Sequence, residues 1–200
     1  MIKTSGQFPN LLVVIGASAG GLKPIREIVR LLPMEFQGVI LIATHRDPNL
    51  PTNSLAELLG QDARLAVREP VEGEQLHCTT LYIGGPAESV QIDGRHVHID
   101  EVSSHLERLQ RIDDLFLSAA EHAGTNAVGV ILSGTLFDGV SGLRAIHDAG
   151  GKCIVQNPRD ATFDDMPKNA IDSVEIDFVG NTTEIASLLV ELAAGRQCQE

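Results

Sequence analysis

Two hundred residues, 43% hydrophobic and 21% charged, suffice to bury one sizeable core and exclude a disordered chain. Twenty-seven acidic against 15 basic residues leave a net charge of −12. No window gathers Lys and Arg, which argues against nucleic acid and anionic membrane surfaces as partners. No apolar run approaches the ~18 residues of a membrane span, and MIKTSGQFPN (1–10) lacks the apolar centre of a secretory signal. The expected location is therefore the cytoplasm, without membrane insertion. Cys78, Cys153 and Cys198 are widely spaced and odd in number, which fits neither a disulfide framework nor a Cys-x-x-Cys metal site. Cys153, in KCIV, reads as a buried small hydrophobe.

In chain order the pattern is strand, loop, helix, repeated. LLVVIG (11–16) is a buried strand ending at glycine. Leu22, Ile25, Val29 and Leu32 then share one helical face, with Pro24 tolerable only in the first turn. GVILIATH (38–45) repeats the strand signal, SLAELLG (54–60) reads as a helix, and ARLAVRE (63–69) alternates like a half-exposed strand. TLYIGG (80–85) precedes alternating runs joined by Asp93-Gly94, a hairpin signal in which both central residues need positive φ. Ile112, Leu115, Phe116, Ala119, Ala120 and Ala123 mark an amphipathic helix. AVGVILSG (127–134) is a third buried strand, followed by a helix over 139–149, two further strand signals in KCIVQ and VEIDFV, and a final helix. The chain shows no internal repeat and no linker. The expectation is a single α/β domain over 1–200, with its core at about 11–194. Its mainly parallel, doubly wound sheet should carry helices on both faces and an antiparallel hairpin insert.

In such folds ligands bind beyond the carboxyl ends of the strands, so the strand-to-helix loops carry the chemistry. Gly16-Ala17-Ser18-Ala19-Gly20-Gly21 fits the G-x-S-x-G nucleophile elbow, which lifts a serine hydroxyl out of the sheet beside a helix N-terminus. The same loop could instead cradle a phosphate, or Ser18 could merely cap the helix. The full dinucleotide and Walker fingerprints are absent. His45 is the histidine that ends a buried strand, whereas His96 and His98 occupy the polar face of the hairpin. Asp138 follows the third buried strand and could be either an N-cap or a third catalytic member. Hydroxyl, imidazole and carboxylate at one sheet edge are the set a serine hydrolase uses. The chain order Ser18, His45, Asp138 is not that of α/β-hydrolases. Asp47, Asp160, Asp164 and Asp165 are the other carboxylates that could orient His45.

With IGASAGG (15–21), the strand ending in His45, NAVGVILSGTLFDGVSGL (126–143) and QNPRDATFDDMPKNAI (156–171) in order, the chain resembles the catalytic domain of CheB chemotaxis methylesterases over nearly its whole length. The resemblance implies hydrolysis of glutamyl methyl esters on the helices of methyl-accepting chemoreceptors, and possibly deamidation of glutamine there. It implies catalysis by Ser18, His45 and Asp138, with an oxyanion hole from the backbone N–H groups of Ala19 and Thr135, and no metal or cofactor. It also implies an enzyme without the family's receiver domain. The sequence departs from the family where His-Met-Pro is His45-Arg46-Asp47 and where His-Arg-Pro-Ser-Val-Asp is Arg108-Leu109-Gln110-Arg111-Ile112-Asp113. Two other classes remain open: a nucleotide-binding module using the Gly16–Gly21 loop, and a catalytically silent receptor-binding module.

Overall fold

β-Branched, wholly apolar runs without alternation demand burial on both faces, and the central strands meet that demand. The computed structural model describes residues 8, 10–46, 54–102 and 104–198. Its strands are β1 (Leu11–Ala17), β2 (Gly38–Thr44), β3 (Ala66–Arg68), β4 (Thr80–Ile83), β5 (Glu88–Asp93), β6 (His96–Glu101), β7 (Ala127–Ile131), β8 (Lys152–Gln156) and β9 (Phe178–Gly180). The helices are α1 (Leu22–Leu31), α2 (Ser54–Asp62), α3 (His105–Arg108), α4 (Arg111–Ala123), α5 (Val140–Asp148), α6 (Asp165–Ser173) and α7 (Thr182–Ala193). The main sheet runs β3-β4-β2-β1-β7-β8-β9, and every pairing in it is parallel.

Each face of the sheet carries its own core. Leu11, Val13 and Ile15 of β1 point toward α1, α2 and α7, where Ile25, Ile28, Leu59, Ile185 and Leu189 are buried. Leu12 and Val14 point the other way, onto Ile112 and Phe116 of α4, Leu143 and Ile146 of α5, and Met166 of α6. Leu22, on the buried face by its spacing, lies instead at the rim and is 45% exposed. The start of α7 is held by a reciprocal capping box between Asn181 and Glu184.

The expected antiparallel insert is present as β5 and β6, which form a separate pair packed on α4, tied by Ile92 N–H to Ser118 Oγ (3.1 Å) and Ser89 Oγ–H to Asp114 (2.9 Å). Its turn is shifted by one residue from Asp93-Gly94. Asp93 pairs with His96, so Gly94 and Arg95 are central, and of these only Gly94 has positive φ, the demand of a type II′ turn. Cys78 and Cys198 form a disulfide across 120 residues, contrary to the reading that the cysteines are unpaired. That spacing hides the pairing, which arises because the segment after α7 returns to the loop preceding β4, where Cys198 N–H also meets Gln37 Oε1 (3.3 Å). Cys153 is free and buried as expected, and burial pushes its thiol up to about 12.

Candidate active site

β2, β1 and β7 are adjacent, and the chain reverses its winding direction between β1 and β7, the switch point at which doubly wound sheets open a crevice. Ser18 follows β1, His45 follows β2, and the loop after β7 carries Asp138. In register, Ala17 lies beside Thr44 and Gly16 beside Ile131, so all three loops leave one sheet edge together. His45 Nδ1 lies 3.0 Å from Ser18 Oγ, and His45 Nε2 lies 2.6 Å from Asp138 Oδ2. The tautomer that satisfies both contacts donates Nε2–H to the carboxylate and leaves Nδ1 bare to accept the serine proton. The side chains of His45 and Asp138 are 15% and 2% exposed, so little water competes for this bond.

Asp138 does cap a helix, but not the one that follows it. Gly139 holds the N-cap position of α5, and Asp138 reaches across to the first turn of α4. Its Oδ2 accepts Ile112 N–H (3.1 Å) and its Oδ1 accepts Asp113 N–H (2.9 Å). In return, Asp113 Oδ1 accepts Gly142 N–H (2.7 Å) in the first turn of α5. Each carboxylate therefore caps the other's helix, and both oxygens of Asp138 are oriented by donors. Burial chiefly pushes the Asp113 carboxyl up to about 6, and the nearby Asp138 charge adds to the shift.

Ser18 does not cap α1: Gly21 occupies the N-cap position, with no side-chain cap bond. The elbow is held from beneath by Ser133, a fully buried residue that the sequence reading passed over. Ser18 N–H donates to Ser133 O (3.0 Å), Ser133 Oγ–H donates to Ala19 O (2.9 Å), and Phe163 N–H donates to Ser133 Oγ (3.0 Å). Gln156 Oε1 accepts Ser133 N–H (2.9 Å), completing a buried polar brace. Its signal in sequence is a Ser and a Gln at the ends of apolar strands, where a polar side chain must find a partner. Gly134 is required by close approach, since a Cβ there would meet Met166 Sδ at 2.0 Å and Ser18 Cβ at 3.0 Å. Gly134 N–H donates to Phe163 O (3.0 Å), so the residues bearing the candidate oxyanion donors, Ala19 and Thr135, each follow an anchored neighbour.

The cleft beside Ser18 has a volume of about 300 Å³ and is lined by Leu22, Ile25, Thr44, His45, Arg46, Leu55 and Leu58. Leu22 in that lining is 45% exposed, and Leu136, Phe137 and Phe163, on the loop before Asp138 and the segment bonded to Ser133, are also exposed. Two guanidiniums meet backbone carbonyls near His45. Arg46 donates to Gly84 O, and Arg111 donates to Thr44 O (3.2 Å) and Pro86 O (3.0 Å). Burial lowers the pKa of both, and their mutual repulsion presses Arg111 further. Of the alternative carboxylates, Asp160 and Asp165 are exposed and Asp164 pairs with Lys168; Asp47 lies outside the described residues. Among the described residues no group of three or more His, Cys, Asp or Glu could hold a metal ion, and no helix is long and apolar enough to cross a membrane.

The sequence model of the CheB methylesterase family matches residues 13–189. A protein-glutamate methylesterase/protein-glutamine glutaminase of Enterobacter cloacae is 34% identical over 191 residues, covering 92% of this chain and 54% of the relative. The Carboxydothermus hydrogenoformans protein named protein-glutamate methylesterase/protein-glutamine glutaminase 1 is also 34% identical, over 189 residues. The chain thus spans about half the length of these curated relatives. The crystal structure of the Thermotoga maritima CheB methylesterase catalytic domain superposes with a TM-score of 0.82 at 28% identity, covering 90% of this chain and 97% of that one. A Ser–His–Asp array at the switch point of a parallel sheet, a family match over most of the chain and a shared fold agree on one assignment: the chain belongs to the CheB methylesterase family.

Proposed function

We propose that this chain is a serine hydrolase that removes methyl groups from glutamyl methyl esters on chemoreceptor helices in the cytoplasm, and that it can deamidate glutamine at such positions. The observation that carries this reading is the hydrogen-bond chain from Ser18 Oγ through the His45 ring to Asp138. His45 Nδ1 takes the Ser18 proton as Oγ attacks the ester carbonyl, and Asp138 stabilises the imidazolium that forms. The tetrahedral oxyanion is held by the N–H groups of Ala19 and Thr135, with the N-terminus of α1 adding positive potential. As the intermediate collapses, His45 returns the proton to the departing methoxide, and methanol leaves. Water then enters, gives a proton to His45 and attacks the glutamyl ester on Ser18; His45 returns that proton to Ser18 Oγ as the acyl bond breaks, and the released acid ionises to the carboxylate. The apolar lining of the cleft, with exposed Leu22 at its rim and exposed Leu136, Phe137 and Phe163 on the loops near Asp138 and Ser133, is suited to a helical protein substrate.

The phosphate-cradle alternative is disfavoured by the loop itself. Ser18 N–H is bonded to Ser133 O and Gly21 N–H to Ser18 O, so these donors are already engaged within the fold. The experiment is methanol release from methylated receptor membranes. The native chain should release methanol, and Ser18→Ala should lose at least about 10⁴ of the rate. Equal release by both would overturn the reading.

A further inference from the structure

The turn that opens α4 touches every part of the array. Arg111, 3% exposed, sends Nη1 to the carbonyl of Thr44, the residue immediately before His45, and Nη2 to Pro86 O in the loop after β4. The next two backbone N–H groups grip Asp138. Ile112 also packs on the strand that ends at the serine loop, where a Cβ on Gly16 would come within 2.4 Å of its Cγ2. Bases and acids on separate loops drift independently unless something ties them together, and here one helical turn does so. We propose that Arg111 is a positioning residue for His45: its planar fork clamps the end of β2 to the turn that holds Asp138, and thereby sets the imidazole between carboxylate and serine.

This inference rests on the proposed triad, so its test separates the two. Arg111→Lys keeps a cation but cannot reproduce a fork to two carbonyls, and Arg111→Met removes both charge and donors. Both would be assayed on a small activated ester, with kcat and KM measured separately, alongside urea unfolding and the proton resonance of His45 Nε2–H. Ser18→Ala is run in parallel: if it retains activity, the triad reading fails, while the resonance still reports on the clamp. We expect both Arg111 variants to fold and kcat to fall at least about tenfold, since displacements near 1 Å can cost about 10² in rate. KM should stay within about threefold, because the cleft lining that meets substrate is untouched. The Nε2–H resonance should shift or broaden in Arg111→Met, with partial recovery in Arg111→Lys. Should Arg111→Met fail to fold, Arg111→Lys decides alone. A folded variant with unchanged kcat and resonance overturns the proposal, as does an effect confined to KM. Failure of both variants to fold would show a structural strut and overturn it too.

Discussion

Asp138 carries two duties at once, since its oxygens hold the His45 ring and receive the first-turn N–H groups of α4. Asp138→Asn keeps the shape but turns an acceptor into a donor facing either the imidazole or a backbone N–H. The expected result is a kcat lower by up to ~10⁴, with stability lower by about 1–3 kcal/mol for the unmatched donor. Ester kinetics and urea unfolding on the same preparation check both, and an exposed control, Asp165→Asn, should lose less than about tenfold. Asp113 predicts the opposite sign for stability. Its folded carboxyl titrates at about 6, above its unfolded value of 3.8, so the native state binds the extra proton between those values. Stability from this group is therefore highest below about pH 4 and falls as pH rises toward 6. Asp113→Asn can still accept the Gly142 N–H and removes the charge beside Asp138. It should unfold at higher urea than the native chain at about pH 8, with the difference shrinking as pH drops through 6; an equal gain at both ends of that range would refute the account.

Among the elements, α1 and α2 are joined on the sheet by one carboxylate. Asp62, the last residue of α2, accepts Arg26 Nε (2.5 Å) and Arg30 Nη2 (2.6 Å) from successive turns of α1. Those two hydrogen bonds lower its carboxyl from 3.8 to about 2. Because the folded value is depressed, the contribution is present above about pH 4 and is lost as pH falls toward 2. Asp62→Asn should lower the urea midpoint near neutral pH and leave a shallower loss between pH 4 and 2 than the native chain shows; indistinguishable acid profiles would count against the clamp. Since α1 and α2 supply Leu22, Ile25, Leu55 and Leu58 to the cleft wall, the same contact steadies that wall. The hairpin belongs to this scale as well. Its alternation was legible, but its placement against α4 depended on Ser89 and Ser118 finding partners in another element.

For the whole molecule, the Cys78–Cys198 bond closes 120 residues into a loop that contains β4, β7, β8 and β9 of the main sheet. By the chain-entropy argument a cross-link of that span restrains the unfolded state by up to about 5 kcal/mol, and disulfides typically contribute roughly 2–4 kcal/mol. Reductant should lower the unfolding free energy of the native chain by about that amount and leave Cys198→Ser unaffected, with the variant matching the reduced native protein. Equal stability with and without reductant would remove the disulfide from the account. The three candidate residues follow the carboxyl ends of β1, β2 and β7, whereas Cys78 precedes β4 beside the start of β2, where Thr79 N–H donates to Gly38 O (2.9 Å), so Ser18→Ala should not change the effect of the bond.

The amino-acid sequence by itself determined the alternation of buried strands and amphipathic helices, because apolar periodicity is local and the three central strands are too apolar to be anything but buried on both faces. It also determined Ser18, His45 and Asp138 as candidates, since each lies in the loop that follows a buried strand, and loops after neighbouring strands of a parallel sheet share one edge. What only the tertiary structure decided were relations between distant segments. Asp138 caps α4 and not α5, Ser133 and Gln156 brace the serine loop, Arg111 ties Thr44 to Pro86, and Cys198 meets Cys78. Each joins groups separated by tens of residues, whose partners are chosen by where the helices settle on the sheet. Hydrogen-bond geometry and disulfide reach act over a few ångströms of space, and no spacing along the chain encodes that distance.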